Sequence, residues 1–337
     1  MEVLKNYDLT KLNTFGISVR AKLFVELKNE EDITELLKLS DFKNNKKLFL
    51  GGGSNTLFTK DFDGIVILNK LKGIKIIEEN SENVFIKSMG GEIWQDLVTF
   101  AVTRGLWGIE NLSFIPGTVG ATPVQNIGAY GSEVKDIMEN VEAYQIENGE
   151  KKIFSKQECE FGYRESVFKN KLKEKYFITS ITIKLNKKPD INVEYQALRE
   201  YLDKNKIKVK SPKDISDAVV SIRKSKLPDP NKIGNAGSFF KNVYVDNKKL
   251  EGIKLKYPDV PTFEENGKVK IPTGWLIEKC GWKGKRVGNA GVYEKQALIL
   301  VNYGGSTGEE IQNLCKQIIN SVFTEFGIIL SPEVNIV

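Results

Sequence analysis

The chain has 337 residues, 40% hydrophobic and 28% charged, so it can bury a sizeable core and form two or three domains. Its 50 basic and 44 acidic residues leave a net charge of +6, which is too small to indicate a nucleic-acid-binding face. It contains no histidine, which excludes a histidine-based catalytic triad, a histidine-ligated metal and a cofactor tethered through histidine, and we expect no metal site.

The apolar runs and the cysteines favour a cytoplasmic protein. The longest apolar runs, GIVIL (64–68) and ALILV (297–301), have the length of strands and are far too short for a membrane span. The N-terminal MEVLKNYDLT has no apolar signal region. The three cysteines are far apart and form no C-x-x-C pair, which is typical of a reducing compartment. We therefore expect a cytoplasmic location and no membrane contact.

Strand and helix patterns alternate through the first part of the chain, which predicts an α/β or α+β class. The expected elements are a helix at 30–40, a strand at 46–55 running into a glycine turn, strands at 64–69 and 83–88, a helix at 92–103, a hairpin at 141–154 turned at Asn148-Gly149, and a strand at 176–185.

The pattern changes after Lys187, where helices are predicted at 194–205, 212–226, 273–280 and 307–327. The helix at 212–226 has to end at LPDP (227–230), because proline disfavours helical geometry in the residue before it and lacks a backbone donor. We expect a domain boundary in this region. The last helix begins with a capping box, Thr307 and Glu310.

Two glycine-rich segments indicate a ligand. GGGSNTLF (51–58) follows an apolar strand and matches neither a P-loop nor a dinucleotide fingerprint, but its backbone N–H groups can converge on an anion; a tight turn is the alternative. NLSFIPGTVGATPVQNIGAYGSE (111–133) is both small and apolar, unlike a flexible linker. Two such segments suggest a large nucleotide cofactor lying along the main chain, with a crowded inter-domain turn as the alternative.

These segments and four others occur in one order that resembles the UDP-N-acetylenolpyruvoylglucosamine reductases of bacterial cell-wall synthesis. The resemblance begins at NTFGI (13–17), spans nearly the whole chain, and includes Tyr195, which resembles the subtype with a mobile tyrosine loop. The matching motifs are GGGSN, IPGTVGATPVQNIGAYGSE, YRESVFK (163–169), LPDPNKIGNAGSFFKN (227–242), GWLIEKCGWKGKRVGNAGVYEKQALILVN (274–302) and SPEVNIV (331–337).

The resemblance implies an α+β fold. It consists of a vanillyl-alcohol-oxidase/p-cresol-methylhydroxylase-like FAD-binding fold with two α/β subdomains, and a C-terminal α+β substrate-binding domain. The FAD-binding subdomains are expected at 1–70 and 71–210 and the substrate-binding domain at 211–321, with 322–337 packing back on the first subdomain or near the active site.

The resemblance also implies an activity. NADPH reduces non-covalently bound FAD, which then reduces UDP-N-acetylglucosamine enolpyruvate to UDP-N-acetylmuramate in peptidoglycan precursor synthesis. The expected partners are the UDP-sugar and NADPH, with no nucleic acid, and the chain is expected to be a monomer.

Three residues match the catalytic positions of the family: Arg164, Ser238 and Glu333. Hydride addition to an enol-ether carboxylate leaves negative charge in that carboxylate, which a planar guanidinium and a protonated glutamate can stabilise. Ser238 matches the proton donor, a role that needs no histidine base. Taken singly, Arg164 could form a surface ion pair with Glu165, Ser238 could be a turn serine, and Glu333 could be solvated; inside the matched motifs we favour the catalytic roles.

The resemblance also implies which residues bind FAD and the substrate. For FAD they are Gly51, Gly52, Gly53, Ser54, Asn55, Ile115, Pro116, Gly117, Thr118, Gly120, Ala121, Gly128, Ala129, Tyr130 and Gly131. For the substrate they are Tyr195, Arg223, Lys226, Asn242, Lys283 and Gln296, with Arg223 and Lys226 three apart on one helical face. Two positions depart from the pattern: Tyr293 stands where some relatives carry histidine, and Thr122 is larger than the usual residue.

Two alternatives to the reductase are considered. One is another FAD-dependent oxidoreductase of the same fold that acts on an alcohol, although such enzymes often tether FAD to histidine and lack GNAGSFFKN and SPEVN. The other is a catalytically inactive nucleotide-sugar binder, against which the presence of Arg164, Ser238 and Glu333 argues.

Overall fold

The computed structural model describes residues 1–265 and 267–337, and these divide into two compact units. The first unit comprises Met1–Tyr7, Arg20–Gly53 and Phe62–Ser225, and the second comprises Asp8–Val19, Ser54–Asp61 and Lys226–Val337. Both helices and strands are present in each unit, in agreement with the predicted α+β class.

The described helices are α1 (Glu30–Lys38), α2 (Ser40–Asn44), α3 (Trp94–Val102), α4 (Val134–Ile137), α5 (Gln196–Lys204), α6 (Pro212–Lys226), α7 (Asn247–Lys256), α8 (Thr273–Lys279) and α9 (Gly308–Phe326). The described strands are β1 (Leu4–Asp8), β2 (Arg20–Leu27), β3 (Lys46–Leu50), β4 (Thr56–Leu57), β5 (Phe62–Asn69), β6 (Ile74–Glu79), β7 (Asn83–Met89), β8 (Gly128–Ala129), β9 (Ser132–Glu133), β10 (Met138–Gln145), β11 (Lys151–Ser155), β12 (Tyr176–Asn186), β13 (Gly234–Asn235), β14 (Val243–Val245), β15 (Phe263–Glu265), β16 (Lys268–Ile271), β17 (Arg286–Val287), β18 (Ala290–Val292), β19 (Leu300–Asn302) and β20 (Asn335–Ile336).

The first unit contains a four-stranded sheet in the order β1-β2-β5-β3, in which β2, β5 and β3 are parallel. Apolar residues of these strands form a core with α1 and α2. Helix α1 begins at a capping box in which Asn29 accepts from the backbone N–H of Asp32 and the Asp32 carboxylate accepts in return. The carboxyl end of β3 leads directly into Gly51 and Gly52.

A five-stranded antiparallel sheet in the order β11-β10-β12-β7-β6 forms the second part of this unit. Helix α3 packs on its apolar face, with Trp94 fully buried and its indole N–H donating to the Leu112 carbonyl at 2.8 Å. Helices α5 and α6 form a separate apolar cluster around Trp107.

The hairpin formed by β10 and β11 differs from its prediction. Its loop comprises five residues, 146–150, instead of a two-residue Asn148-Gly149 turn. Ile146 leaves the β10–β11 ladder because its N–H donates to the Lys175 carbonyl and its side chain packs against the core of the parallel sheet. Gly149 supplies the positive φ of +76° that closes the loop.

The second unit contains two small antiparallel sheets, β13-β19-β18-β17 and β14-β16-β15. Helix α9 begins at the predicted Thr307–Glu310 capping box and ends at Gly327, which has a left-handed φ of +59°. The C-terminal strand β20 runs parallel to β4, pairing Asn335 with Thr56. The domain boundaries expected at 70, 210 and 321 stay predictions.

Candidate active site

Two glycine loops of the first unit lie in backbone contact. A Cβ atom on Gly52 would approach the Gly117 Cα to 2.9 Å, and one on Gly51 would approach the Thr118 Oγ1 to 2.3 Å. Both distances are below those that real Cβ atoms adopt, so only glycine allows the loop after β3 to lie against residues 117 and 118. The two segments that the sequence singled out for a nucleotide are therefore neighbours.

A third loop, at the end of β7, packs against residue 120. The three loops, residues 51–53, 90 and 117–121, are called the glycine layer below. The Gly120 N–H donates to the Gly90 carbonyl at 2.9 Å, and the Gly90 N–H donates to the Thr179 carbonyl. A Cβ on Gly90 would approach the Nδ2 atom of Asn69 to 2.5 Å. Sequence reasoning missed Gly90, although a Gly-Gly pair directly after a strand was the available signal.

The layer contains a buried polar atom with an unused bonding capacity. Within the described part of the chain, the Thr118 Oγ1 is buried and has no hydrogen-bond partner. Such a group is costly in a folded protein unless a ligand or water satisfies it. Thr122, which departs from the expected small residue, is buried too, but its hydroxyl donates to the Val119 carbonyl at 2.7 Å.

Arg164 lies in a tight turn of the first unit. Its side chain is only 17% exposed, and its guanidinium donates to the carbonyls of Asn126 at 3.2 Å and Gly128 at 2.6 Å. A Cβ on Gly128 would approach the Arg164 Nη1 to 2.7 Å, so the guanidinium would have to shift if another residue stood there. The Glu133 carboxylate also lies 3.9 Å from Nη1.

A second guanidinium lies close to this one. The half-buried Arg223 donates through Nε to the Phe114 carbonyl at 3.0 Å. Burial lowers the pKa of Arg223, and the positive charge of Arg164 acts in the same direction while Tyr130 opposes it. Two neighbouring, partly desolvated cations make this part of the first unit attractive to an anionic ligand.

Two tyrosines of the first unit lie edge to face beside these arginines. The ring centroids of Tyr130 and Tyr195 are 5.2 Å apart, and Tyr195 is 49% exposed. The buried Asn111 connects their two segments by donating to the carbonyls of Tyr130 at 2.8 Å and Asn192 at 2.9 Å. Tyr130, predicted to contact a cofactor, thus contacts the predicted substrate tyrosine.

In the second unit, paired backbone segments bring Ser238 and Glu333 together. The Glu333 N–H donates to the Phe239 carbonyl at 2.8 Å, and the Lys241 N–H donates to the Ser331 carbonyl at 3.0 Å. Phe239 and Phe240 are fully buried, which fixes the segment that carries Ser238, while Ser238 itself is exposed. Ser238 and Glu333 are 95 positions apart in the chain. Ser238 nevertheless precedes Phe239, whose carbonyl accepts the hydrogen bond from the Glu333 N–H.

Two predicted substrate residues meet at the start of α8 in the same unit. The Asn242 Oδ1 accepts from the Thr273 N–H at 3.2 Å. The Gln296 Oε1 lies against Gly274, where a Cβ would approach it to 3.1 Å. Asn242 and Gln296 therefore lie at one helix end, where their amide groups can face a polar ligand.

The remaining predicted residues are placed as follows. Lys283 forms a two-oxygen ion pair with Glu278 at 3.0 and 3.1 Å. Lys226 is exposed at the last position of α6. The Tyr293 N–H donates to the Ile299 carbonyl, which fixes its backbone. Asn55 belongs to the second unit, where its carbonyl accepts from the Asn335 N–H at 3.0 Å.

The comparisons with known proteins cover the whole chain. A reductase from Flavobacterium johnsoniae, named UDP-N-acetylenolpyruvoylglucosamine reductase, is 48% identical over 339 residues and covers 100% of both chains. The chain belongs to the UDP-N-acetylenolpyruvoylglucosamine reductase family. A protein of the same name from Amoebophilus asiaticus is 46% identical, again over 100% of both chains.

Family models and a solved structure agree with this membership. A model of the C-terminal domain of this reductase family matches residues 229–337, and a model of an FAD binding domain matches residues 21–153. The crystal structure of the reductase from Thermus caldophilus has a TM-score of 0.69 and 22% identity, covering 99% of this chain and 98% of that one, and shows the same fold. The predicted family, the α+β FAD-binding fold, the enzyme class and the cofactor FAD are thus confirmed.

The glycine layer fits FAD. Gly51 and Gly52 allow the two loops to pack closely, and the buried Thr118 Oγ1 has a hydrogen bond to give, so residues 51–53 and 117–121 of the first unit can hold the cofactor. No helix among the described residues is long and apolar enough to cross a membrane. In the same part of the chain, no three His, Cys, Asp or Glu side chains cluster as metal ligands would.

Proposed function

We propose that this protein reduces the enolpyruvyl double bond of UDP-N-acetylglucosamine enolpyruvate to the lactyl ether of UDP-N-acetylmuramate, with NADPH as the reductant. The observation that carries the proposal is the full-length match, at 48% identity, to a reductase named for this substrate. The matched FAD-binding segment supports a flavin mechanism. Neither the alcohol oxidoreductase nor the inactive binder has comparable support.

The reaction requires that negative charge be stabilised on the substrate carboxylate. FAD held by residues 51–53 and 117–121 would supply the two-electron chemistry, the transfer of hydride from NADPH to the terminal carbon of the enolpyruvyl group. Arg164 is suited to the carboxylate because its guanidinium is planar and already fixed by two carbonyls. A donor that is fixed before the reaction stabilises developing charge without a reorganisation cost.

Ser238 and Glu333 complete the addition in this proposal. Ser238 gives its hydroxyl proton to the carbon that bears the carboxylate, and Glu333, in its protonated form, donates a hydrogen bond to the developing enolate. The hydrogen bond from the Glu333 N–H to the Phe239 carbonyl supports these two roles, since the segments that carry Ser238 and Glu333 are paired through it. Solvent returns a proton to Ser238, so the net reaction consumes NADPH and one proton and gives UDP-N-acetylmuramate and NADP⁺.

The substrate diphosphate and nucleotide are assigned to the basic and aromatic residues. The partly desolvated Arg223 supports an anionic ligand in the first unit, and the exposed Tyr195 offers a ring face to a base. Lys226, Asn242 and Gln296 supply further polar contacts. Lys283 is the weakest of these candidates because Glu278 already neutralises it.

We also propose that the protein acts as a cytoplasmic monomer that does not bind nucleic acid. The three free cysteines support the location, because disulfides are rare in a reducing compartment, and the small net charge of +6 supports the absence of nucleic-acid binding. Light scattering on the eluting protein should give the mass of one chain, and a dimer mass would contradict the monomer.

Product analysis tests the proposed reaction. The purified protein, supplied with NADPH and UDP-N-acetylglucosamine enolpyruvate, should convert the substrate to a product heavier by two hydrogen atoms. Simple alcohols with an electron acceptor serve as the comparison and should give no turnover. Turnover of alcohols without reduction of the UDP-sugar would contradict the proposal.

A further inference from the structure

Arg164 has a strained backbone conformation in a tight turn, and contacts from residues outside the turn have to stabilise it. Gly162 and Glu165 exchange both backbone hydrogen bonds, at 3.0 and 3.2 Å, and leave Tyr163 and Arg164 as the central residues of a tight turn. The φ of Arg164 is +55°, in the left-handed region that side chains other than glycine seldom adopt. Such strain persists only where the surroundings fix it.

Asn126 supplies this external support through its side chain. It is fully buried, and its Nδ2 donates to the Gly162 carbonyl at 2.9 Å, at the base of the turn. The same Nδ2 donates to the Glu133 Oε2 at 3.0 Å, and its Oδ1 accepts from the Lys135 N–H at 3.1 Å. One side-chain amide therefore joins the turn that carries Arg164 to the loop at 126–135.

The backbone of Asn126 contacts the other end of the same arginine. Its carbonyl accepts from the Arg164 Nη1 at 3.2 Å, next to the bond from Nη2 to Gly128. The residue itself has a φ of +46°, so its own backbone lies in the left-handed region as well. Asn126 thus bonds both the base of the turn, at the Gly162 carbonyl, and the guanidinium of Arg164.

We propose that Asn126 is a positioning residue, which holds the Arg164 guanidinium in the orientation that receives the substrate carboxylate. The inference rests on the proposed function, because it assumes that Arg164 binds that carboxylate. Asn126 acts only through Arg164 and does not itself touch substrate.

The position requires a carboxamide. Aspartate has no hydrogens to donate and would place its charge about 3 Å from the Glu133 carboxylate, which repels it. Glycine keeps the positive φ of this position but removes all three side-chain hydrogen bonds. Asn126→Gly therefore isolates the side chain from the backbone strain, whereas Asn126→Asp removes the donors and adds a repelling charge.

A double-mutant cycle tests the proposal. Asn126→Gly and Arg164→Ala are made singly and together, and the anaerobic rate constants of flavin reduction by NADPH and of substrate reduction are measured for each. Alone, Asn126→Gly should slow substrate reduction by about 10–100-fold, as expected for a misaligned catalytic group, and change flavin reduction by less than about twofold. In the Arg164→Ala background it should slow substrate reduction by no more than about twofold.

A matched control separates positioning from general stability. Asn13 is a buried asparagine of the second unit whose amide donates to the carbonyls of Leu9 and Ile17. Asn13→Ala should lower the melting temperature as Asn126→Gly does, yet leave the ratio of the two rate constants unchanged. If Asn126→Gly does not fold, Asn126→Asp replaces it in the cycle.

The outcomes distinguish this inference from the proposed function. Equal losses from Asn126→Gly in both backgrounds, or an equal slowing of both half-reactions, would overturn the positioning role. A wild-type protein that fails to reduce the UDP-sugar would instead overturn the proposed function.

Discussion

Ser238 lies in a chain that offers no histidine to act as a base, and its environment suits a donor. It follows Gly237, whose φ is +68°, and precedes two buried phenylalanines, so its backbone is fixed while its hydroxyl stays exposed. A proton donor needs only to reach the carbon that receives the proton, whereas a nucleophilic serine needs a neighbouring base.

Replacing Ser238 by alanine should separate the two half-reactions. Ser238→Ala removes the proposed proton and little else, so flavin reduction by NADPH should stay within about twofold while substrate reduction slows by about 10²–10⁴-fold. Rapid-mixing absorbance measurements give both rate constants. A similar loss in both half-reactions would show that the serine is not the donor.

Glu333 variants test whether this residue acts as a hydrogen-bond donor. Glu333→Gln keeps a donor of nearly the same shape, whereas Glu333→Ala removes it, so the alanine variant should lose about 10–100-fold more of the substrate-reduction rate. The measurement is the single-turnover rate of each variant with the UDP-sugar. Equal losses in the two variants would mean that the donor plays no part.

Glu110 makes stability depend on pH. Burial raises its pKa from 4.5 to about 7, with the charge of Asp190 contributing, although the Gly108 N–H favours the carboxylate. The folded chain therefore holds this proton more tightly than the unfolded chain does, so stability falls as pH rises between about 4.5 and 7 and stays reduced above that range.

The Glu110→Gln variant should remove this dependence. Glutamine keeps an acceptor for the Gly108 N–H but carries no charge, so the variant should match the wild type near pH 4 and exceed its unfolding free energy by about 2–3 kcal/mol near pH 8. Urea denaturation at the two pH values measures this. A variant that gains nothing at pH 8 would contradict the buried-carboxyl account.

Single residues were predictable from the sequence where they stand in a motif, and not where their role depends on folding. Ser238 and Glu333 were placed by their motifs before the structure joined their segments. Asn126 was not singled out, because its four partners come from loops that no local pattern connects. Lys283 matched its motif, yet Glu278 neutralises it, which a single sequence does not reveal.

Two glycine loops of the first unit pack backbone against backbone. Residues 51–53 follow a parallel strand, and residues 117–121 form a turn against them. Such close packing of two backbones requires small residues in both segments. Their packing therefore explains why two distant segments share the same small residues.

Adding a methyl group to this contact should weaken FAD binding. Gly52→Ala would place a Cβ 2.9 Å from the Gly117 Cα, so the loop has to shift. We expect FAD affinity to fall by at least about tenfold, equivalent to about 1.4 kcal/mol, as measured by quenching of flavin fluorescence. Gly252→Ala is the matched control, since Gly252 lies in α7 with open space around it; equal affinities for the two variants would contradict the prediction.

The helices that were predicted lie close to their predicted bounds, whereas α7 was not predicted at all. Helix α6 has the bounds predicted for it, and α9 has the predicted capping box, because proline, glycine and caps act locally. The β10–β11 loop was wrong because its conformation depends on Ile146, which contacts residues far along the chain. Local signals do not report such a contact.

At the scale of the whole chain, neither unit is continuous in sequence. The second unit takes residues 54–61 from early in the chain, and β20 pairs with β4 there. Apolar periodicity gives no sign of a parallel pair separated by almost the full length of the chain. Family membership, by contrast, was predicted from the order of the motifs alone. It was confirmed by relatives that match this chain over its full length.

An anaerobic titration of the purified protein tests the central claim most directly. NADPH should bleach the absorbance of bound oxidised flavin, and one equivalent of UDP-N-acetylglucosamine enolpyruvate, added after removal of NADP⁺, should restore it fully. Simple alcohols and UDP-N-acetylglucosamine itself should leave the flavin reduced. A flavin that NADPH reduces but that the enolpyruvyl substrate does not reoxidise would contradict the proposed reaction.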